Sequence, residues 1–156
     1  MNKPLRSLAG NLIESVSTPL GLFHCVFFDF LPGEQQEFDS LAETAIKTWG
    51  RALGELHRAG EGFKVEGRPG WQEQIAMIRA LVPDREMFVW NEAEALEEKL
   101  LSLPVSEANY GLIHFDFEPD NIVWSDGGIG IYDLDDCAYG WFAMDIANAL
   151  SSELFD

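Results

Sequence analysis

Three short apolar runs near the end of the chain, Gly111–His114, Asn121–Trp124 and Ile129–Tyr132, constrain its fold more than any other feature. Each is too short for a stable helix and has the length of a strand. Ser125-Asp126-Gly127-Gly128 is a tight-turn sequence, so the second and third runs read as a β-hairpin. Acidic residues crowd the ends of these runs. His114-Phe115-Asp116-Phe117-Glu118-Pro119-Asp120-Asn121 leads into the hairpin, and Asp133-Leu134-Asp135-Asp136 leaves it. Because the hairpin folds the chain back on itself, it should bring Asn121 and Asp133 to the same open end.

Upstream, Asn11–Ser17 and Leu22–Phe30 flank Thr18-Pro19-Leu20-Gly21, a turn signal, and read as a second hairpin. Phe23-His24-Cys25-Val26-Phe27-Phe28 is almost wholly apolar, the pattern of a strand covered on both faces. Leu31-Pro32-Gly33 ends it. A helix is expected over Ser40–Ala59, with Ser40 and Glu43 at capping-box spacing. Leu41, Ala45, Trp49, Ala52, Leu53 and Leu56 form its buried stripe, and Gly60 stops it. His57, near its end, reads as a surface or interface histidine. Residues 61–70 form a loop. Further helices are expected near Trp71–Leu81, Asn91–Leu103 and Phe142–Leu150. The fold class is therefore α+β.

At 156 residues and 47% hydrophobic content, the chain fits one ordinary domain. Its net charge of −17 argues against binding to nucleic acid or an anionic membrane. Two cysteines, Cys25 and Cys137, suggest no disulfide framework. The start lacks a secretory apolar region, and no run approaches membrane-spanning length, so the reading is cytoplasmic. From Leu100 to Asp156 there is no Lys or Arg against eleven Asp or Glu. These carboxylates fit either a solvated surface or a pocket that needs a cation. Two unpaired carboxylates ~4 Å apart repel by about 4 kcal/mol at an effective dielectric of 20.

An Asp, an Asn five residues on and a second Asp at the end of a hairpin suit phosphoryl transfer. That reaction needs a carboxylate near the incoming hydroxyl and metal ions on the phosphates. Asp116 fits the first role. Asn121, a neutral oxygen donor, and Asp133, a carboxylate, fit Mg²⁺. Two other readings fail. Asp133-Leu134-Asp135 imitates the nucleophile motif of haloacid-dehalogenase-type phosphatases, but only the 21 residues after Asp135 would remain for the rest of that fold. Asp116, Glu118 and Asp120 alternate as in a calcium loop, but Asn121 stands where that loop requires Gly and Gly127 where it requires Glu.

His114-x-Asp116-x-x-x-x-Asn121 followed by Asp133 resembles the catalytic loop and metal-binding Asp of the aminoglycoside phosphotransferase/choline kinase-like family. Tyr139-Gly140-Trp141 with Asp145-Ile146-Ala147 resembles the segment that follows, where the Asp braces the catalytic loop. Trp49-Gly50-x-x-Leu53-Gly54-x-Leu56-His57 resembles the first helix of that family's C-terminal lobe, and Phe28-Asp29-Phe30-Leu31-Pro32-Gly33 its hinge. The resemblance implies a protein-kinase-like fold: partial N-lobe strands and hinge over residues 1–31, and a mostly helical C-lobe core with its catalytic hairpin over 32–156. It implies ATP and Mg²⁺ as cofactors, Asp116 as catalytic base, Asn121 and Asp133 as metal ligands, and main-chain contacts from Phe28 and Phe30 to the nucleotide. It assigns a packing and hydrogen-bonding role to His114.

The expected function is transfer of phosphate to a hydroxyl of a small molecule, and an acidic C-lobe suits a cationic acceptor. Complete members also carry a Gly-rich loop and a phosphate-positioning lysine ahead of the hinge. The residues before Phe28 hold a single lysine, Lys3, and no Gly-x-Gly-x-x-Gly. A chain truncated at both ends is therefore expected, with an exposed N-lobe edge able to self-associate. The alternative function is a non-catalytic kinase fragment or a nucleotide- or metal-binding remnant.

Overall fold

The computed structural model describes residues 3–126 and 128–151. In chain order the elements are β1 (Pro4–Leu5), β2 (Glu14–Thr18), β3 (Gly21–Cys25), β4 (Phe27–Phe28), α1 (Glu43–Gly60), α2 (Trp71–Leu81), α3 (Met87–Ser102), β5 (Tyr110–Ile113), β6 (Ile122–Ser125), β7 (Gly128–Ile131), β8 (Ala138–Trp141) and α4 (Phe142–Ala149). The chain divides into two compact units, Met1–Thr48 with Pro119–Tyr132, and Trp49–Glu118 with Asp133–Asp156.

The first unit is built of two-stranded antiparallel ribbons: β1 with β4, β2 with β3, and β6 with β7. Thr18 pairs with Gly21 and Ser125 with Gly128, so both expected hairpins form with the register their turn sequences predict. The segment after Pro32 adds to the β6–β7 hairpin through reciprocal main-chain bonds of 2.9 Å between Glu34 and Trp124. That approach requires glycine at Gly33. A Cβ there would stand 2.7 Å from the carbonyl oxygen of Trp124, and its φ of 146° is one that side chains disfavour.

The apolar run at Phe23–Phe28 is not covered on both faces. All of β3 and β4 is exposed, with Phe23 at 50% and Phe27 at 67%. The run breaks at Val26 into two strands that join different ribbons, and a ribbon of two strands has too few neighbours to cover either face. Apolar composition alone gave no measure of that.

The second unit contains most of the helical residues. Trp49, Leu53 and His57 are buried on one stripe of α1, as the helical spacing predicts except for the histidine. Ser40 does not cap this helix. It lies in a 3-10 turn, Phe38–Ser40, its hydroxyl donates to Glu37 O, and α1 starts three residues later. The bounds of α2 agree with the sequence pattern, while α3 begins four residues earlier than expected. β5 pairs antiparallel with β8, a strand not expected from Ala138-Tyr139-Gly140-Trp141 because two of its four residues are too small to signal one. Trp71, Ile75 and Trp141 pack together as a core with Leu100, Tyr110 and Met144 around them. The Trp141 indole N–H donates to Pro104 O and the Tyr110 hydroxyl to Tyr139 O, so the polar tips of these large rings are satisfied.

No helix among the described residues is long and apolar enough to cross a membrane. The Gly33–Trp124 approach yields a stability test. Gly33→Ala should lower the unfolding free energy by about 1–3 kcal/mol, because it adds both overpacking and backbone strain. Chemical denaturation measures this, and an unchanged midpoint would remove the close approach from the account.

Candidate active site

The site is anchored by a buried carboxylate. Asp145 is fully buried in the first turn of α4. Its Oδ2 accepts from the His114 main-chain N–H at 2.9 Å and from His57 Nε2 at 2.8 Å. Its Oδ1 accepts from the Phe115 N–H at 2.6 Å. Three residues further along α4, Asn148 Nδ2 donates to Phe115 O at 2.8 Å. Ser151, past the end of the helix, donates to Glu118. Residues three apart on a helix share a face, so one side of α4 supports the whole loop after β5.

This support explains an unfavourable backbone. Phe115 has φ of 69°, in the left-handed region that a bulky side chain avoids. Its peptide groups are held from both sides, the N–H by Asp145 and the C=O by Asn148. The outcome is that Asp116, the next residue, stands half-buried at the edge of an open cleft of about 760 Å³ within the second unit. The cleft is lined on one side by Met77, Ile78, Leu81 and Val82 at the end of α2, and on the other by Asp116, Asp135, Asp136 and Cys137.

His57, expected as a surface or interface histidine from its place near the helix end, is buried inside the second unit. Its ring stacks on Phe142 with centroids 4.5 Å apart while Nε2 reaches Asp145. The signal lay in the spacing: His57 continues the stripe from Trp49 and Leu53 at intervals of four. Asn148 was also missed, although it follows Asp145 by three residues on an otherwise apolar helix. His114 is 1% exposed, its ring set edge-on to Phe117, in keeping with a packing role.

Asp133, directly after Tyr132, is exposed and also left-handed, with φ of 57°. Phe115 and Asp133 are the two such non-glycine positions among the described residues, and both lie in or beside the acidic motif. The loop that follows closes with Cys137 N–H on Leu134 O, and Arg68 donates to Asp135 O. In the first unit, Asn121 is buried in a 3-10 turn, and its main-chain oxygen accepts from the Tyr132 N–H at 3.2 Å. The Tyr132 hydroxyl and Gln35 both bond Asp120 O, fixing the base of this hairpin. Phe28 lies in β4, and Phe30 is 88% exposed. Among the described residues no three His, Cys, Asp or Glu side chains gather as a metal cluster.

A family profile described as "Phosphotransferase enzyme family" matches residues 5–156. The chain is 33% identical to an amicoumacin kinase of Bacillus subtilis (strain 168), over 98% of this chain and 47% of that protein. It is 34% identical to a homoserine kinase of Gluconacetobacter diazotrophicus, over 81% of this chain and 41% of that one. Among solved structures, an amicoumacin kinase in complex with AMP-PNP, Ca2+ and Ami matches 99% of this chain and 48% of its own, with a TM-score of 0.86 at 26% identity. The chain thus spans about half the length of the relatives it matches.

Two measurements test this geometry. Asp145→Ala strands the buried His114 N–H, the part-buried Phe115 N–H and His57, and should cost about 3–5 kcal/mol of stability. A loss below 1 kcal/mol would mean the network is not formed. Burial pushes the Cys137 thiol above its ordinary pKa; Arg68 opposes this, and Asp135, Asp136 and Asp145 add to it. The neutral thiol is thus favoured in the folded protein. Its contribution to stability is present in full below the ordinary thiol pKa and is lost as pH rises through the raised one. Near pH 8 a thiol reagent should label exposed Cys25 quickly and Cys137 slowly; equal rates would contradict this.

Proposed function

The chain belongs to the phosphotransferase enzyme family, and from that premise we propose that it carries the base and metal ligands of a site transferring phosphate from Mg-ATP to a small-molecule hydroxyl. The observation that carries the proposal is the placement of Asp116: a loop braced by a buried carboxylate holds this second carboxylate at the mouth of a cleft large enough for a small molecule. Pocket volumes of this size are typical of small-molecule sites.

Asp116 would accept the proton of the acceptor hydroxyl as the oxygen bonds to the γ-phosphorus and the bond to the ADP oxygen breaks. The rigid main chain at Phe115 fixes where that carboxylate can stand. Asn121 and Asp133 are the proposed ligands of Mg²⁺. Each offers a side-chain oxygen donor, one of them a carboxylate, the hard donor type Mg²⁺ takes when phosphate and water complete its shell. Bound Mg-ATP supplies the phosphoryl group and neutralises its charge. Main-chain atoms of Phe28 and Phe30 are the proposed contacts to the base of the nucleotide.

The relatives favour this chemistry. Amicoumacin kinase and homoserine kinase are by name kinases of small molecules, and one relative was solved with a nucleotide analogue and a divalent cation. A second reading is binding of nucleotide or metal without transfer.

Asp116→Asn separates the two. With Mg-ATP and an amino alcohol as acceptor, it should reduce turnover by roughly 10²–10⁴-fold, with the thermal midpoint and nucleotide affinity unchanged. Full activity in the variant would remove Asp116 from the reaction. Nucleotide binding by the unaltered chain with no phosphorylated product would establish the second reading.

A further inference from the structure

Asn121 ends the 3-10 turn Pro119–Asn121 and is buried. A turn of three residues has little stability of its own. The last two carbonyls of this turn are both held by one residue. The Tyr132 main-chain N–H donates to Asn121 O at 3.2 Å, and the Tyr132 hydroxyl donates to Asp120 O. Gln35 Nε2 lies 2.5 Å from Asp120 O and 2.5 Å from the Tyr132 hydroxyl oxygen, and its two N–H bonds let it donate to both. Gln35 is placed in turn by its neighbour Glu34, which exchanges main-chain bonds with Trp124.

Those two carbonyls belong to the two peptide planes that flank the Asn121 α-carbon. A peptide group is planar and moves as a unit. Fixing both planes therefore fixes φ and ψ of Asn121, and with them the direction of its Cα–Cβ bond. The hairpin does not need the hydroxyl for its register, because β6 and β7 are already aligned by four residue pairs, from Ile122 with Ile131 to Ser125 with Gly128. The hydroxyl contact lies beyond the end of that ladder. Asp120 and Gln35 are exposed, so water can replace a lost donor at small cost to stability. Water cannot replace the direction that the contact imposes.

We propose that Tyr132, with Gln35 beside it, is a positioning residue for Asn121. It aims the side-chain oxygen that holds the divalent cation and takes no part in the transfer itself. The inference rests on the phosphotransfer reading for calling Asn121 a metal ligand, but the placement of Asn121 is tested with no metal present. Tyr132→Phe isolates the effect: it keeps the ring and the main-chain bond to Asn121 O and removes the hydroxyl alone.

The test uses the isotopically labelled 156-residue chain. Without ligand, the three-bond HN–Hα coupling of Asn121, which reads its φ, should rise in Tyr132→Phe toward that of a freely averaging residue. The thermal midpoint should stay within about 3 °C of the parent's. With AMP-PNP present, Mn²⁺ should broaden the Asn121 side-chain amide resonances of the parent. Its half-saturating concentration should rise about tenfold in Tyr132→Phe, the scale of loss when a group that orients a metal ligand is removed. Affinity for AMP-PNP without cation should not change, a split that general loosening of the fold would not produce. Gln35→Ala, on an exposed side chain, should act in the same direction by a smaller factor, since the Tyr132 hydroxyl remains on Asp120 O. The proposal is overturned if the Asn121 coupling in Tyr132→Phe equals the parent's, or if Mn²⁺ binds the variant as tightly as the parent. Failure of the phosphotransfer reading looks different: Mn²⁺ would leave Asn121 of the parent unbroadened while the coupling still rose in Tyr132→Phe. That result keeps the hold on Asn121 and removes the cation from its purpose.

Discussion

A single buried carboxylate sets the geometry of the candidate site. Taking Asp145 out of water costs several kcal/mol, and three donors offset that cost: two consecutive main-chain N–H groups and the ring of His57. The donors come from α1 and from the loop after β5, so the same carboxylate ties together three segments far apart in sequence. Removing any of them leaves the others buried with incomplete partners, which makes the network cooperative. The left-handed Phe115 is tolerated for this reason, directly before Asp116.

The surrounding core gives that network a rigid base. β5 ends at Ile113, one residue before the clamped loop, and pairs with β8, which runs directly into α4. The loop and its brace are therefore the two ends of one antiparallel pair. Trp71, Ile75 and Trp141 pack α2 onto this pair, and α2 in turn supplies the apolar wall of the cleft. Loop 63–70 is stitched to β8 through the Tyr139 hydroxyl and the Gly70–Tyr139 bridge. Arg68, on that loop, reaches Asp135 O. Packing, strand pairing and polar bonds thus converge on the two short acidic stretches.

Much of this was legible in the sequence because it depends on local pattern. The stripe of α1, the bounds of α2 and the turn between β6 and β7 follow from periodicity and turn chemistry. The Asp145 brace was expected from the resemblance of its segment to a known family, not from periodicity. What could not be read depends on partners distant in sequence. His57 read as a surface or interface histidine because its partner is 88 positions away. Phe23–Phe28 looked covered because an apolar run does not state how many strands will flank it. β8 was missed because Gly140 is required for close packing against Ile113, and small residues carry no strand signal.

Amide hydrogen exchange at His114 and Phe115 tests the account most directly, because those two N–H groups are the contacts by which Asp145 sets the loop. Both lie outside any helix or strand, so without the carboxylate they would exchange as loop amides do. The account predicts that they are among the slowest in the chain, opening only with the unfolding of β5 and α4. Exchange as fast as in the exposed loop over 61–67 would show that the clamp is not formed, and the placement of Asp116 would lose its physical basis.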